Sequence, residues 1–99
     1  MRTSRHWEKD REEREAIIQA IGIGNIVKIV TIDRGHEKGP EVHKITDTGI
    51  ILIYNAWTGK MITKLIARPG QIKRYYQDGL TPIELISIAK KHERQGLNI

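Results

Sequence analysis

The apolar positions of this chain change period near residue 25. Before it, Ile17, Ile18, Ala20 and Ile21 follow a stretch from Glu8 to Glu15 that is charged throughout. That pattern predicts a helix over about residues 5–20, with Ser4 as its cap and Gly22 as its left-handed stop. After it, Asn25 to Asp33 alternates β-branched residues with period two and predicts a strand. Further strands are predicted over Val42–Thr46, Ile50–Tyr54 and Lys60–Ala67. Asp47-Thr48-Gly49 and the segment around Gly59 supply the hairpin turns between them. Ile50–Tyr54 is apolar on both faces, which marks it as the central strand. Arg68-Pro69-Gly70 ends the sheet, because proline cannot donate to a ladder. A short helix over Gln71–Tyr76 follows, stopping at Asp78-Gly79. The last helix starts with Thr81 as cap, Pro82 in the first helical position and Glu84 completing a capping box. Leu80 and Leu85 form its hydrophobic staple, and Gly96 ends it.

Turn lengths fix a register. A three-residue loop at 47–49 pairs Thr46 with Ile50, Lys44 with Leu52 and Val42 with Tyr54. A four-residue loop at 56–59 pairs Tyr54 with Met61, Leu52 with Thr63 and Ile50 with Leu65. One face then carries His43, Ile45, Ile51, Ile53, Ile62, Lys64 and Ile66, and its isoleucine patch is the expected seat of the helices. The other is mixed, with Lys44, Thr46, Tyr54 and Thr63 among apolar residues. The fold class is therefore α+β: an N-terminal helix, a four-stranded antiparallel meander, and a short helix and a capped C-terminal helix packed on one sheet face. The 99 residues make a single domain, with the charged helix over 1–22, the sheet over 25–67 and the C-terminal helices over 69–97.

Charge sharpens this picture. The net charge is +5, and it is unevenly spread. Residues 1–24 carry five Lys/Arg against five Asp/Glu, residues 25–79 nine against five, and residues 80–99 three against two. The surplus lies on the sheet and the segment after it, and polyanions such as RNA or DNA are the partners it favours. No cysteine is present, which removes disulfide staples, a thiol nucleophile and thiolate zinc sites, and fits a cytoplasmic setting. The charge-dense start does not read as a signal peptide, and no apolar run approaches the span of a bilayer, so no membrane partner is expected. His6, His36 and His92 lack metal-binding spacing, and no nucleotide-binding loop or nucleophile elbow is present, so neither a metal nor a cofactor is expected.

Three groups of residues carry candidate chemistry. His43, Lys64 and Arg68, assigned to one face, combine a proton carrier with fixed positive charge, which suits RNA cleavage without a metal. Lys44 and Tyr54 on the mixed face could hold a phosphate and stack a base. Arg68, Lys73 and Arg74 interleave with Tyr75 and Tyr76, joining phosphate-gripping cations to stacking rings. Each group has an ordinary alternative in solvated cations and core-facing rings. Trp57 at a hairpin tip is either a binding residue or folded back on the sheet.

From Val42 to Tyr76 the chain resembles small proteins of Gram-positive phages and prophages. The likeness rests on His43, Ile45-Thr46, Gly49-Ile50, Thr58-Gly59-Lys60, Thr63, Arg68-Pro69 and Arg74-Tyr75-Tyr76, and it brings no assigned chemistry. A helix followed by a four-stranded meander also resembles, at the level of fold, the RelE- and barnase-like toxin ribonucleases. That resemblance implies variable His, Lys, Arg, Glu or Tyr residues working on the sheet. The helices after the fourth strand and the lone sheet histidine depart from it. The expected function is a basic nucleic-acid-interacting domain, with RNA favoured. The alternatives are a metal-independent endoribonuclease and a protein-interaction module, which could form a homodimer through the mixed sheet face.

Overall fold

The computed structural model describes residues 3–77 and 79–96. The elements run α1 (Thr3–Ile21), β1 (Ile26–Ile32), β2 (Glu41–Thr46), β3 (Ile50–Asn55), β4 (Met61–Ile66), α2 (Pro69–Tyr75) and α3 (Ile83–Arg94). The four strands form one antiparallel sheet in the order β1-β2-β3-β4, so the α+β meander expected from the sequence is present. Asp78, part of the expected stop after α2, lies outside the described residues.

Strand β3 organises the layers. Ile50, Ile51, Leu52 and Ile53 are all 7% exposed or less. Because alternate side chains point to opposite faces, burying all four requires cover on both sides. On one face Ile45, Ile51 and Ile53 pack with Ala67, Ile72 of α2, and Leu85 and Ala89 of α3. On the other, Ile50, Leu52 and Ile66 pack with Ile18 of α1, flanked by Ile17, Ile21 and Tyr54. The short helix and the C-terminal helix thus share the face expected of them. The N-terminal helix covers the opposite, mixed face rather than the isoleucine patch.

The β2–β3 register is the expected one, with Val42 opposite Tyr54 and Lys44 opposite Leu52. In the β3–β4 pair Tyr54 meets Met61, but Ile53 then meets Thr63, Leu52 meets Lys64 and Ile50 meets Ile66. The extra residue in β4 is a bulge, and it inverts the alternation beyond it. Lys64 and Ile66 therefore move to the α1 face, and Leu65 to the α2–α3 face. β1 carries a similar shift between Ile26 and Lys28. Turn length could not reveal a bulge inside a strand.

Polar contacts lock the connections. Gly22 ends α1 at φ +86°, its amide donating to the Ile18 carbonyl at 2.8 Å. Thr48 in the β2–β3 turn then donates to the carbonyls of Gly22 (2.7 Å) and Ile23 (2.8 Å). Asp47 accepts from the Asn25 amide at 2.9 Å. The same turn is held from α3, where His92 Nε2 donates to the Thr48 carbonyl at 3.0 Å. At the far end of the sheet, Asn55 Oδ1 accepts the amides of Trp57 (2.8 Å) and Thr58 (2.9 Å), while its Nδ2 donates to the Lys38 carbonyl (2.8 Å). Trp57 stays 69% exposed, with its ring lying over Gly39, where a Cβ would come within 2.4 Å of it.

Two expected helix starts differ. Ser4 lies inside α1 rather than capping it. α3 starts at Ile83 with Pro82 as N-cap and no side-chain hydrogen bond capping it, so the Thr81–Glu84 box is not formed. Leu80 is 80% exposed while Leu85 is buried, so they do not staple. Proline's fixed φ sets the start of this helix instead. Accordingly, Thr81→Ala should change stability by no more than about 0.5 kcal/mol, as for a surface position. Ile51→Ala, which opens a cavity in the α2–α3 core, should cost about 2–5 kcal/mol. Denaturant midpoints measure both, and a loss of about 1 kcal/mol for Thr81→Ala would restore the capping box.

Candidate nucleic-acid interface

The α2–α3 face gathers a hydrogen-bonded array around His43. Glu41 and His43 are two residues apart on β2, so they project to the same side of the sheet. Tyr75 comes from the last turn of α2, one turn after the buried Ile72 that anchors this helix in the core. Its hydroxyl reaches His43 Nδ1 at 2.5 Å, while His43 Nε2 lies 2.9 Å from Glu41 Oε1. The two rings stack at a tilt, 5.5 Å between centroids. A carboxylate can only accept, so Nε2 carries the proton, and the bare Nδ1 accepts from the tyrosine hydroxyl. Arg34, from the β1–β2 loop, reaches the same Glu41 oxygen at 3.6 Å. His43 is 3% exposed, whereas Tyr75 is half-buried and lines a groove of about 950 Å³ along β1, together with Lys28, Arg34, Gln71 and Arg74.

A second groove, of about 790 Å³, runs between α2 and α3. It is lined by Arg68, Gln71, Arg74, Lys90, Glu93 and Arg94, together with Pro69 and Gly70. Gln71 and Arg74 border both grooves. Among the described residues, the two are lined by six cations, Lys28, Arg34, Arg68, Arg74, Lys90 and Arg94, against the single carboxylate of Glu93. The start of α2 is held by Gln71, whose Oε1 accepts the Arg68 amide at 2.8 Å. Lys28 sits with its ammonium 4.9 Å over the Tyr76 ring.

The sequence-predicted residues divide between the faces. Arg68, Lys73, Arg74, Tyr75 and Tyr76 fall on or beside α2, with Lys73 and Arg74 exposed. Both tyrosines pack partly against the core. Lys44 and Tyr54 lie on the α1 face, stacked on each other at 4.7 Å. Thr46 there is buried and accepts the Ile50 amide at 3.1 Å. The trio of His43, Lys64 and Arg68 is not brought together. Lys64 is on the opposite face, ion-paired to Glu15 of α1 at 3.0 Å, because the β4 bulge reverses its direction. Glu41 and Arg34 were missed by sequence reasoning. The Glu41-x-His43 spacing on a strand was the available signal for the first, while Arg34 looks like any polar loop residue until the loop folds back. Among the described residues, no group of three or more His, Cys, Asp or Glu side chains is gathered as for a metal.

Burial raises the Tyr75 hydroxyl above its ordinary value, with Arg34 and Arg74 pulling it down and Glu41 pushing it up. Burial raises Tyr76 as well. A raised value means the folded state holds the phenol proton more tightly than the unfolded chain. The resulting stabilisation is complete below the ordinary value of 10.0 and is lost as pH climbs through the folded-state value. Tyr75→Phe, which cannot ionise, should therefore lose less stability than the parent between neutral and strongly alkaline pH. Parallel curves of melting temperature against pH would overturn this. Comparison with protein-family profiles, curated proteins and solved structures returned no match.

Proposed function

We propose that this protein is a nucleic-acid-binding domain that holds single-stranded RNA across the two grooves meeting at Arg74. The observation that carries this reading is the continuous cation excess: six cations line the two adjoining grooves against one carboxylate. Phosphates released from their counterions would follow such a tract, and the grooves offer a track rather than a protruding helix or ribbon to enter a duplex groove. On the opposite face a smaller groove, of about 500 Å³ between α1 and β4, is lined by Arg11, Arg14 and Lys64 against Glu15, which pairs with Lys64 at 3.0 Å. The two larger, adjoining grooves favour the α2–α3 side for the binding strand, with Arg68, Lys73 and Arg74 positioned by α2, Lys90 and Arg94 by α3, and Lys28 and Arg34 by β1 and its loop.

The test compares faces. Arg74→Ala combined with Arg94→Ala should weaken binding of a single-stranded RNA. It should also flatten the salt dependence by about 0.7 in log–log slope for each phosphate that is no longer neutralised. Lys44→Ala, on the α1 face, should leave both affinity and slope unchanged. Fluorescence anisotropy over a salt series reads both quantities. A parent that shows no binding at about 50 mM salt, where phosphate contacts are strongest, would overturn the proposal and leave protein interaction as the surviving function.

A further inference from the structure

The Glu41–His43–Tyr75 array places a carboxylate, an imidazole and a hydroxyl in one hydrogen-bonded line. A hydroxyl bonded to an imidazole, itself oriented by a carboxylate, can hand its proton to the ring as it takes up another. Its geometry is directional. Both His43 nitrogens are engaged, at 2.5 Å by Tyr75 and 2.9 Å by Glu41, and the ring is 3% exposed. No substrate atom can reach the histidine, so the outlet of the array is the Tyr75 hydroxyl, on a residue lining the groove shared with Arg34 and Arg74. Tyr75 borders a cationic groove and is backed by a proton acceptor whose own charge, once protonated, is met by the Glu41 carboxylate.

We infer that the array is a proton relay for cleaving RNA bound in this groove, with Tyr75 as the catalytic residue and His43 and Glu41 as positioning residues behind it. The inference rests on the RNA-binding function proposed above. An RNA strand carries its own nucleophile, the 2′-hydroxyl, which needs a proton acceptor and fixed positive charge near the phosphate. The 2′-oxygen bonds to phosphorus, and the bond from phosphorus to the 5′-oxygen breaks. The 2′-hydroxyl proton passes to the Tyr75 oxygen as the phenol proton moves to His43 Nδ1, giving an imidazolium held by the Glu41 carboxylate. Arg34 and Arg74 stabilise the charge on the phosphorane oxygens. The leaving 5′-oxygen takes a proton from water, and His43 returns its proton to solvent through Tyr75. The products are a 2′,3′-cyclic phosphate and a 5′-hydroxyl, and no oxidant or reductant is involved.

The experiment follows a labelled single-stranded RNA under single-turnover conditions in excess EDTA, with binding measured in parallel by anisotropy. The parent should cleave it and leave a cyclic phosphate. A 2′-deoxy substitution at the cleaved position should abolish the reaction. Tyr75→Phe keeps the ring and removes the oxygen, so cleavage should fall by about 100-fold or more while affinity stays within about twofold. Glu41→Gln keeps the volume but withdraws the charge that holds the imidazolium. It should slow cleavage by about 10-fold or more at unchanged affinity, a split that damage to the fold would not produce. Cleavage that survives Tyr75→Phe, or products lacking the cyclic phosphate, would overturn the relay. A parent that binds the RNA and leaves it intact would overturn the relay alone, and a parent that does not bind would overturn both functions.

Discussion

The rest of the structure depends on a strand that cannot face water on either side. Ile50, Ile51, Leu52 and Ile53 fill β3 without a polar interruption and are all buried. Each such side chain contributes about 1.5–3 kcal/mol when removed from water. A sheet covered on one face only would leave two of these four exposed. The chain answers with α1 on one side and α2–α3 on the other, so the sheet becomes the middle layer of three. This division decides where function can sit, since each face of the sheet is accessible only where its helices leave it open.

The two covers are built differently. α1 carries an unbroken charged run from Glu8 to Glu15 and reaches the sheet through Ile17, Ile18 and Ile21, with Glu15 neutralising Lys64 at its margin. α2 is a single short helix held by Ile72, and its brevity leaves β1 partly uncovered on that face, where Lys28, Val30 and Ile32 border a groove. The turn between β2 and β3 is the common anchor. Thr48 binds the end of α1 and receives His92 of α3, so both helical layers are referenced to one hairpin. That reference fixes the position of α2, which leaves the sheet at Ala67, whose amide bonds the Gly49 carbonyl at 2.8 Å. The placement of Tyr75 over His43 is thereby a consequence of hairpin geometry as much as of local sequence.

Electrostatics follows the same asymmetry. Cations find partners on both faces: Glu15 for Lys64 and the Tyr54 ring for Lys44 on the α1 side, Glu41 for Arg34 and the Tyr76 ring for Lys28 on the other. The α2–α3 side differs in that its cations border two adjoining grooves, with Glu41 committed to His43 and Arg34. A buried imidazole satisfied at both nitrogens leaves no buried polar atom unpaired there, which removes the usual penalty for placing a histidine in a core. The array therefore fits a stable interior without giving up its hydrogen-bonding chemistry.

The sequence by itself determined the element order, the meander, the central position of β3 and the β2–β3 register. These follow from local rules: period-two alternation, glycines in left-handed turns and proline as a breaker. It also placed the basic surplus after residue 25 and singled out Arg74 and Tyr75. Tertiary structure alone decided the rest. The bulge in β4 turned Lys64 away from His43, because one unpaired residue reverses every later side chain in a strand and nothing in the turn announces it. Pro82 displaced Thr81 as the cap of α3. Tyr75 lies 32 residues from His43 along the chain, and Arg34 belongs to a loop with no pattern of its own. Only the folding of loop and helix onto β2 brings them within hydrogen-bond or ion-pair reach of Glu41 and His43. Periodicity reports which face a residue occupies within its own element. It carries no information about which side chains of other elements will stand opposite, and that is set by how the layers close over a strand buried on both sides.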